Sequence, residues 1–273
     1  MKKLLAILLA AVMLMCVLAA CGGTKDSGVD ASNDAANNES SDSSTETADI
    51  TTVNAGKLTI STSPDFPPYE MLDDDGETVG IEMEIMQLIA DKLGLELEVD
   101  EMDFDSALLA VRQGKSDVVV SGVTVTDDRK LVMDFTDSYT TAVQVIVVPE
   151  GSDVTLDNLG DQRIGTQRGT TGFIYCVDDY GEDHVTGYDT YTLVIQALLN
   201  GQVDCVVMDD AVAREYVEAN AGLKILDTEY AVEDYAFGCT KGNTALVNGV
   251  NSALNELIAD GTVQSIIDKY IGE

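Results

Sequence analysis

Twice along this chain a stretch of helical character stops at a glycine, two residues pass, and an aspartate opens a valine-rich run. The first copy reads Leu109-Ala110-Val111-Arg112-Gln113-Gly114-Lys115-Ser116-Asp117-Val118-Val119-Val120. The second reads Ala197-Leu198-Leu199-Asn200-Gly201-Gln202-Val203-Asp204-Cys205-Val206-Val207. Glycine readily takes the left-handed conformation that ends a helix, and a short apolar run is the mark of a strand buried on both faces. Around the first copy the order is strand 58–61, helix 79–93 with Ile81, Ile85, Leu88 and Ile89 at helical spacing, strand 95–99, helix 106–113 and strand 117–121. This βαβαβ order points to an α/β fold, a mostly parallel sheet flanked by helices. A second copy predicts a second lobe, with strands at 144–148, 163–165 and 235–239 and helices at 171–179, 190–200, 245–259 and 263–270. The last two helices carry Leu246, Val250, Leu254, Leu257 and Ile258 on one stripe, which reads as core packing.

The start of the chain reads as an address. Lys2 and Lys3 precede an apolar run over 4–20 that is short for a spanning helix of ~20 residues and leads into polar sequence, the pattern of a secretory signal. Leu18-Ala19-Ala20-Cys21 resembles the lipobox of bacterial lipoproteins, which makes Cys21 the candidate lipidation site; Cys16 lies inside the discarded run. Residues 22–49 are almost wholly Gly, Ser, Thr, Asn, Ala and acid. They bury too little apolar surface to offset chain entropy, so 21–54 is expected to be a lipidated cysteine followed by a disordered acidic tether, with a span on the order of 30 Å.

Charge narrows the function classes. There are 49 acidic residues against 15 lysines and arginines, a formal net charge of −34. No basic footprint exists for phosphates, so a nucleic-acid partner is excluded. A single histidine, His184, leaves little for a multi-histidine metal site or a Ser/His/Asp triad, and no metal or cofactor is expected. Cys176, Cys205 and Cys239 permit at most one disulfide, and Cys205 and Cys239 sit in apolar runs and read as buried thiols.

In open α/β sheets ligands gather beyond the carboxyl ends of strands, so the segments that follow strands carry the information. Four stand out: Ser63 to Glu70, Ser121 to Arg129, Gln167 to Gly172, and Met208-Asp209-Asp210. Arg129, one of few arginines, suits a carboxylate through two parallel hydrogen bonds. Ser121 and Thr124 add hydroxyls. Thr170 and Thr171, after Gly169, bring backbone N–H groups to a helix start, a second place for a carboxylate. Asp209 suits an ammonium, and Phe66 and Phe104 offer apolar walls. Together they fit a zwitterion. Each also has a plainer reading: Arg129 paired at the surface with Asp127 or Asp128, Asp209 capping the helix that begins near Ala211, Phe66 and Phe104 as core, the glycine turn as a tight connection.

These segments, with Val79-Gly80-Ile81-Glu82-Met83-Glu84, Met102-Asp103-Phe104-Asp105 and Asp260-Gly261-Thr262, resemble the extracellular solute-binding proteins of family 3, which serve polar amino-acid ABC transporters. The similarity runs in order from about Lys57 to Tyr270. It implies a two-lobed periplasmic-binding-protein fold of type II: lobe 1 from 55–142 and 233–273, lobe 2 from 143–232, joined by hinge strands near 141–145 and 229–235. It also implies that Arg129 holds the ligand carboxylate, supported by Ser121, Gly122 and Thr124, that Thr170 and Thr171 meet the same group, and that Asp209 receives the α-ammonium. Phe66, Phe104 and Gln167 match pocket positions. Ser63 stands where relatives that bind basic amino acids or glutamine carry an aspartate, which leaves side-chain specificity open; Arg168 reads as a solvated bystander. The implied protein is a monomer at the extracellular face of the cell membrane, lipid-anchored, with a polar L-amino acid and a transmembrane permease as partners and no enzymatic activity. The competing readings are an enzyme on the same fold, such as a cyclohexadienyl dehydratase, for which no acid–base pair with a clear task is evident, and a surface adhesin that keeps the fold.

Overall fold

The computed structural model describes residues 50–272. The signal segment, Cys16, the lipidation candidate Cys21 and the tether up to residue 49 lie outside the described residues. Residues 50–54, expected to belong to the tether, are docked instead. Ile50 packs against the first-lobe core, Val53 N donates to Asp117 Oδ1 at 2.8 Å, and Asn243 Nδ2 donates to Thr51 O at 2.8 Å. One isoleucine and two anchored backbone groups suffice to hold a segment whose sequence is otherwise polar.

Two sheets form the two lobes. The first runs in the order Glu96–Glu101, Lys57–Thr62, Val118–Val119, Gly238–Thr240, Met133–Phe135. The second runs Val185–Tyr188, Ile164–Gln167, Cys205–Asp209, Thr140–Pro149, Leu223–Ile225, with Ala231–Tyr235 also pairing to Thr140–Pro149. As expected, most strands of each sheet run the same way; one strand in each is reversed, Gly238–Thr240 in the first and Thr140–Pro149 in the second. Strands inside the βαβ units pair in parallel, Ile60 opposite both Val99 and Val118 for example. Antiparallel pairing enters where Gly238–Thr240 joins Val118–Val119 and where Cys205–Asp209 meets Thr140–Pro149. These late or crossing strands need no crossover helix, so nothing forces them parallel.

The repeated module has the same job in each lobe. Gly114 and Gly201 end their helices at φ +65° and +67°. The following aspartate then ties down the start of the neighbouring strand: Asp117 Oδ2 accepts Thr59 N at 2.9 Å, and Asp204 Oδ2 accepts Arg163 N at 2.9 Å. Helix Ile81–Leu93 lays Ile81, Ile85 and Ile89 on the first sheet beside Leu58, Ile60 and Val118, and stops at Gly94, left-handed at φ 69°. Leu246, Val250, Leu254 and Leu257 of helix Thr244–Ala259 complete that core, whereas Ile258, expected on the same stripe, is 39% exposed.

The chain crosses between the sheets along Thr140–Pro149 and back along Ala231–Tyr235, which pair antiparallel with Gln144 opposite Ala231 and Thr140 opposite Tyr235. The single strand expected at 235–239 is therefore two: Tyr235 ends the crossing strand and Gly238 begins a strand of the first sheet, with buried Ala236 and Phe237 turning the chain between them. The lobe limits expected at 142/143 and 232/233 fall inside these crossing strands. A small three-stranded sheet, Asp65–Phe66, Glu70–Leu72 and Thr78–Val79, was not expected and turns the segment after the first strand back over the gap between the lobes.

Candidate binding site between the lobes

Strand ends from both sheets meet at one cavity. Ser63, Phe66, Phe104, Ser121, Gly122, Thr124 and Arg129 line it from the first lobe, Gln167, Thr170, Thr171 and Asp209 from the second. Every residue expected from the sequence is there, together with Asp65, to which no role was assigned. The two lobes touch across it, Asp65 accepting Tyr191 N at 2.7 Å and Gly169 O accepting Arg129 Nη2 at 3.0 Å. The lobes are closed on each other.

Arg129 sits in the first turn of the short helix Asp127–Val132, whose start is fixed by the Thr126 side chain accepting Arg129 N at 3.2 Å. The plainer reading fails here: Asp127 pairs with Lys130, while Arg129 is only 9% exposed. Its Nη1 donates to Thr124 O at 2.8 Å and its Nη2 to Gly169 O on the other lobe at 3.0 Å. The guanidinium lies 5.6 Å from the Phe104 ring centroid, a cation–π arrangement. Burial draws its pKa down and neighbouring Glu233 draws it up; an arginine this buried stays charged and needs an anion.

Asp209 ends strand Cys205–Asp209 and occupies the position before helix Asp210–Ala219, but its side chain does not cap that helix. Instead Oδ2 accepts Gln144 Nε2 at 3.0 Å, and Oδ1 has no hydrogen-bond partner among the described residues. Burial, then the charge of Glu233, pushes its pKa up to about 8. Gln144 also donates to Glu233 Oε2 at 3.0 Å, which accepts Thr124 Oγ1 at 3.1 Å, so both crossing strands reach the site through buried polar side chains. Sequence reasoning missed Gln144 and Glu233 because they lie within strands, not after them.

Asp65 is the other omission. Its carboxylate accepts Ser63 Oγ at 2.8 Å and, from the opposite lobe, Tyr191 N at 2.7 Å and Gln167 Nε2 at 3.4 Å. Tyr191 is the first residue of helix Tyr191–Leu199, so the acid of one lobe meets the helix start of the other. Burial raises the Asp65 pKa, and its donors oppose that. The signal available in the sequence was its place, two residues beyond Ser63, just after a strand.

Two glycines shape the walls. Gly122 has φ +52°, and a Cβ there would meet the Phe66 ring at 2.5 Å. Gly169 has φ +76°, and a Cβ would collide with the Asp105 carboxylate. Thr170 caps helix Thr171–Tyr180 by accepting Phe173 N at 3.2 Å. Phe66 and Phe104 are at once cavity wall and buried core. Arg168 stays outside, half-exposed, with Nε 3.4 Å from Asp189 Oδ1. Cys176, Cys205 and Cys239 are buried and unpaired among the described residues, their thiols pushed up to about 12 by burial.

The family model for bacterial extracellular solute-binding proteins, family 3, matches residues 58–273. The chain belongs to that family. Among curated members, the probable histidine-binding protein of Neisseria gonorrhoeae is 33% identical over 282 aligned positions, spanning 100% of this chain and 97% of that protein. Among solved structures, an ancestral arginine-binding protein bound to glutamine superposes with a TM-score of 0.76 at 38% identity, over 80% of this chain and 99% of the other. The arginine-, lysine-, histidine-binding protein ArtJ from Geobacillus stearothermophilus does so at 0.76 and 32%, over 80% and 96%. A family 3 protein binds solutes outside the cytoplasm for transport, and this one has the family's two-lobed fold.

Proposed function

We propose that this chain captures a polar L-amino acid by closing its lobes and delivers it to the transmembrane permease of an ABC importer. The observation that carries the reading is an arginine and an acid opposed at one cavity: buried Arg129 on the first lobe and buried Asp209 on the second. Arg129, with the backbone N–H groups at Thr170 and Thr171, takes the α-carboxylate. Asp209 takes the α-ammonium. Neither lobe alone can satisfy both ends of a zwitterion, so the solute favours the closed form by its differential affinity. The crossing strands act as the hinge between 143–232 and the remainder.

The third charge in the cavity points to the side chain. Among the described residues Arg129 is the one cation lining the cavity, whereas Asp65 and Asp209 line it and buried Glu233 adjoins Asp209 through Gln144, so acids outnumber the cation. A cationic side chain beside Asp65 offsets part of that excess, in keeping with the histidine, arginine and lysine named for the relatives. Phe66 and Phe104 flank its methylenes or ring. Cys21 and the acidic tether hold the domain, as a monomer, at the extracellular face of the membrane. A thermal-shift screen over the twenty amino acids tests this: L-arginine, L-lysine or L-histidine should raise the melting temperature most. If no amino acid raises it, the importer reading is lost.

A further inference from the structure

Behind the first-lobe wall lie two carboxyl groups that the binding reading does not use. Glu70, on strand Glu70–Leu72, and Glu82, in the first turn of helix Ile81–Leu93, are both 0% exposed. They are neighbours, since Ser121 donates to Glu70 and the next residue, Gly122, to Glu82, and no lysine or arginine among the described residues bonds to either. Two adjacent buried carboxyl groups without a cation cannot both ionise, so one keeps a proton. The donors around them decide which.

Glu82 accepts Gly122 N on both oxygens, at 3.2 and 3.1 Å, and the Tyr139 hydroxyl as well. Glu70 accepts only the Ser121 hydroxyl, 2.8 Å to Oε1, and its Oε2 faces no donor among the described residues. A proton on Glu70 Oε2, given to ionised Glu82, satisfies every atom. The reverse would leave the charge on the carboxyl with one donor and put a proton on the one that already has two. Burial raises both groups, Glu70 well above the carboxylate range, while Glu82 is drawn back by its donors. The other titratable groups facing the pair are Asp65, Tyr69 and Tyr139, none of them a cation.

This bears on Ser121, whose hydroxyl has one hydrogen and two lone pairs. The hydrogen goes to Glu70 Oε1, and one lone pair accepts Ser63 N at 3.2 Å. We infer that the Glu70–Glu82 pair, with its proton on Glu70, sets the polarity of the site: it turns the Ser121 hydrogen away from the cavity, so that the serine oxygen meets the solute as an acceptor. Ser121 then takes a hydrogen from a donor of the solute side chain at the Asp65 end of the cavity, because Ser63, whose N–H it accepts, itself donates to Asp65; this differs from the carboxylate-supporting part the resemblance assigns to it. Glu82 holds Gly122 by the same device. Glu70 and Glu82 are positioning residues. The inference rests on an amino acid binding in this cavity, and it deepens that reading by naming which end of the solute Ser121 holds.

Two measurements test it. In protein labelled with ¹³C at the glutamate carboxyls, one resonance should stay at the protonated position at neutral pH and vanish in Glu70→Gln. A neutral-pH spectrum with every glutamate ionised overturns the inference, whatever binds. Calorimetry with L-arginine and L-norleucine, which lacks the side-chain donors, gives the second readout. Glu70→Ala should cut the preference for L-arginine by about tenfold, the worth of one buried hydrogen bond set wrongly. Glu70→Gln, which still donates to Glu82 and accepts from Ser121, should restore it. An unchanged preference in Glu70→Ala overturns the assignment of Ser121. If L-arginine does not bind the unaltered protein at all, the cationic-solute reading falls, and the carboxyl spectrum still decides the proton on Glu70.

Discussion

Acidic side chains on the outer surface of this molecule and in its cleft obey opposite rules. Outside, Asp204 meets Arg163 Nε at 2.9 Å and Asp134 meets Lys241 Nζ at 2.6 Å, and these partners hold both carboxyls below their usual range. Inside, buried Asp209 and half-buried Asp65 line the cleft and buried Glu70 and Glu82 lie behind its wall, with no lysine or arginine among the described residues bonded to any of them, and loss of solvent pushes all four up. Exposed pairs are worth little because water already screens the charge. A buried acid without a cation is costly until a cation arrives. The difference separates the bulk of the −34 charge, which serves solubility, from the few acids that a solute would act on.

The sharpest way to break this contrast is to remove the one cation of the cavity. Arg129→Ala should lower L-arginine affinity by roughly 3–5 kcal/mol, below detection by calorimetry, since the solute carboxylate would be left buried without a partner. Near-normal affinity would detach Arg129 from the site. Asp209→Asn keeps the shape and removes the charge, with an expected loss of about 2–4 kcal/mol in the same assay. Asp65→Asn should act selectively, weakening L-arginine by about 1–2 kcal/mol and leaving L-glutamine nearly unchanged; an equal loss for both solutes would make Asp65 a lobe-closing residue only.

Titration sharpens the comparison further. A raised pKa means the folded chain holds a proton that the unfolded chain has released, so stability falls as pH rises. For Asp209 that contribution is complete below the ordinary carboxylate range near 4 and is lost by about 8. Asp65, Glu70 and Glu82 act in the same direction. The lowered surface carboxyls Asp204 and Asp134 do the opposite, but only as pH falls through the acid range. Solute-free protein should therefore lose stability in denaturant titrations between about pH 5 and about pH 8. An ammonium at Asp209 favours the ionised acid, so solute binding near neutral pH should release a proton, seen as a buffer-dependent enthalpy, and Asp209→Asn should abolish it. The smallest effect belongs outside: Asp134→Asn should cost at most about 1 kcal/mol of stability and leave affinity untouched.

Much of the site was legible because a strand end in an α/β sheet has few places to go. Ser121, Gln167 and Asp209 follow or close strands, so the topology brings them to one edge whatever their side chains do. Arg129 could be placed because its segment follows a strand, and Thr170 because it stands at a helix start. Asp65 was hidden by the small sheet that folds it inward, and the partner that reveals it, Tyr191, is far along the chain. Glu70 closed a candidate segment and Glu82 sat on an expected helix, and nothing in either setting marked them as partners.

What the sequence by itself determined was the order of strands and helices, the doubled module, and the list of groups able to hold a zwitterion, since these depend on period, turn chemistry and functional-group type. Only the tertiary structure decided the charge state and pairing of those groups. It set Arg129 against Gly169 O across the gap, left Asp209 Oδ1 without a donor among the described residues, and sealed Glu70 against Glu82. The reason is that a side chain's protonation and bonding follow from the solvent it has lost and the neighbours it has gained, and both are properties of long-range packing.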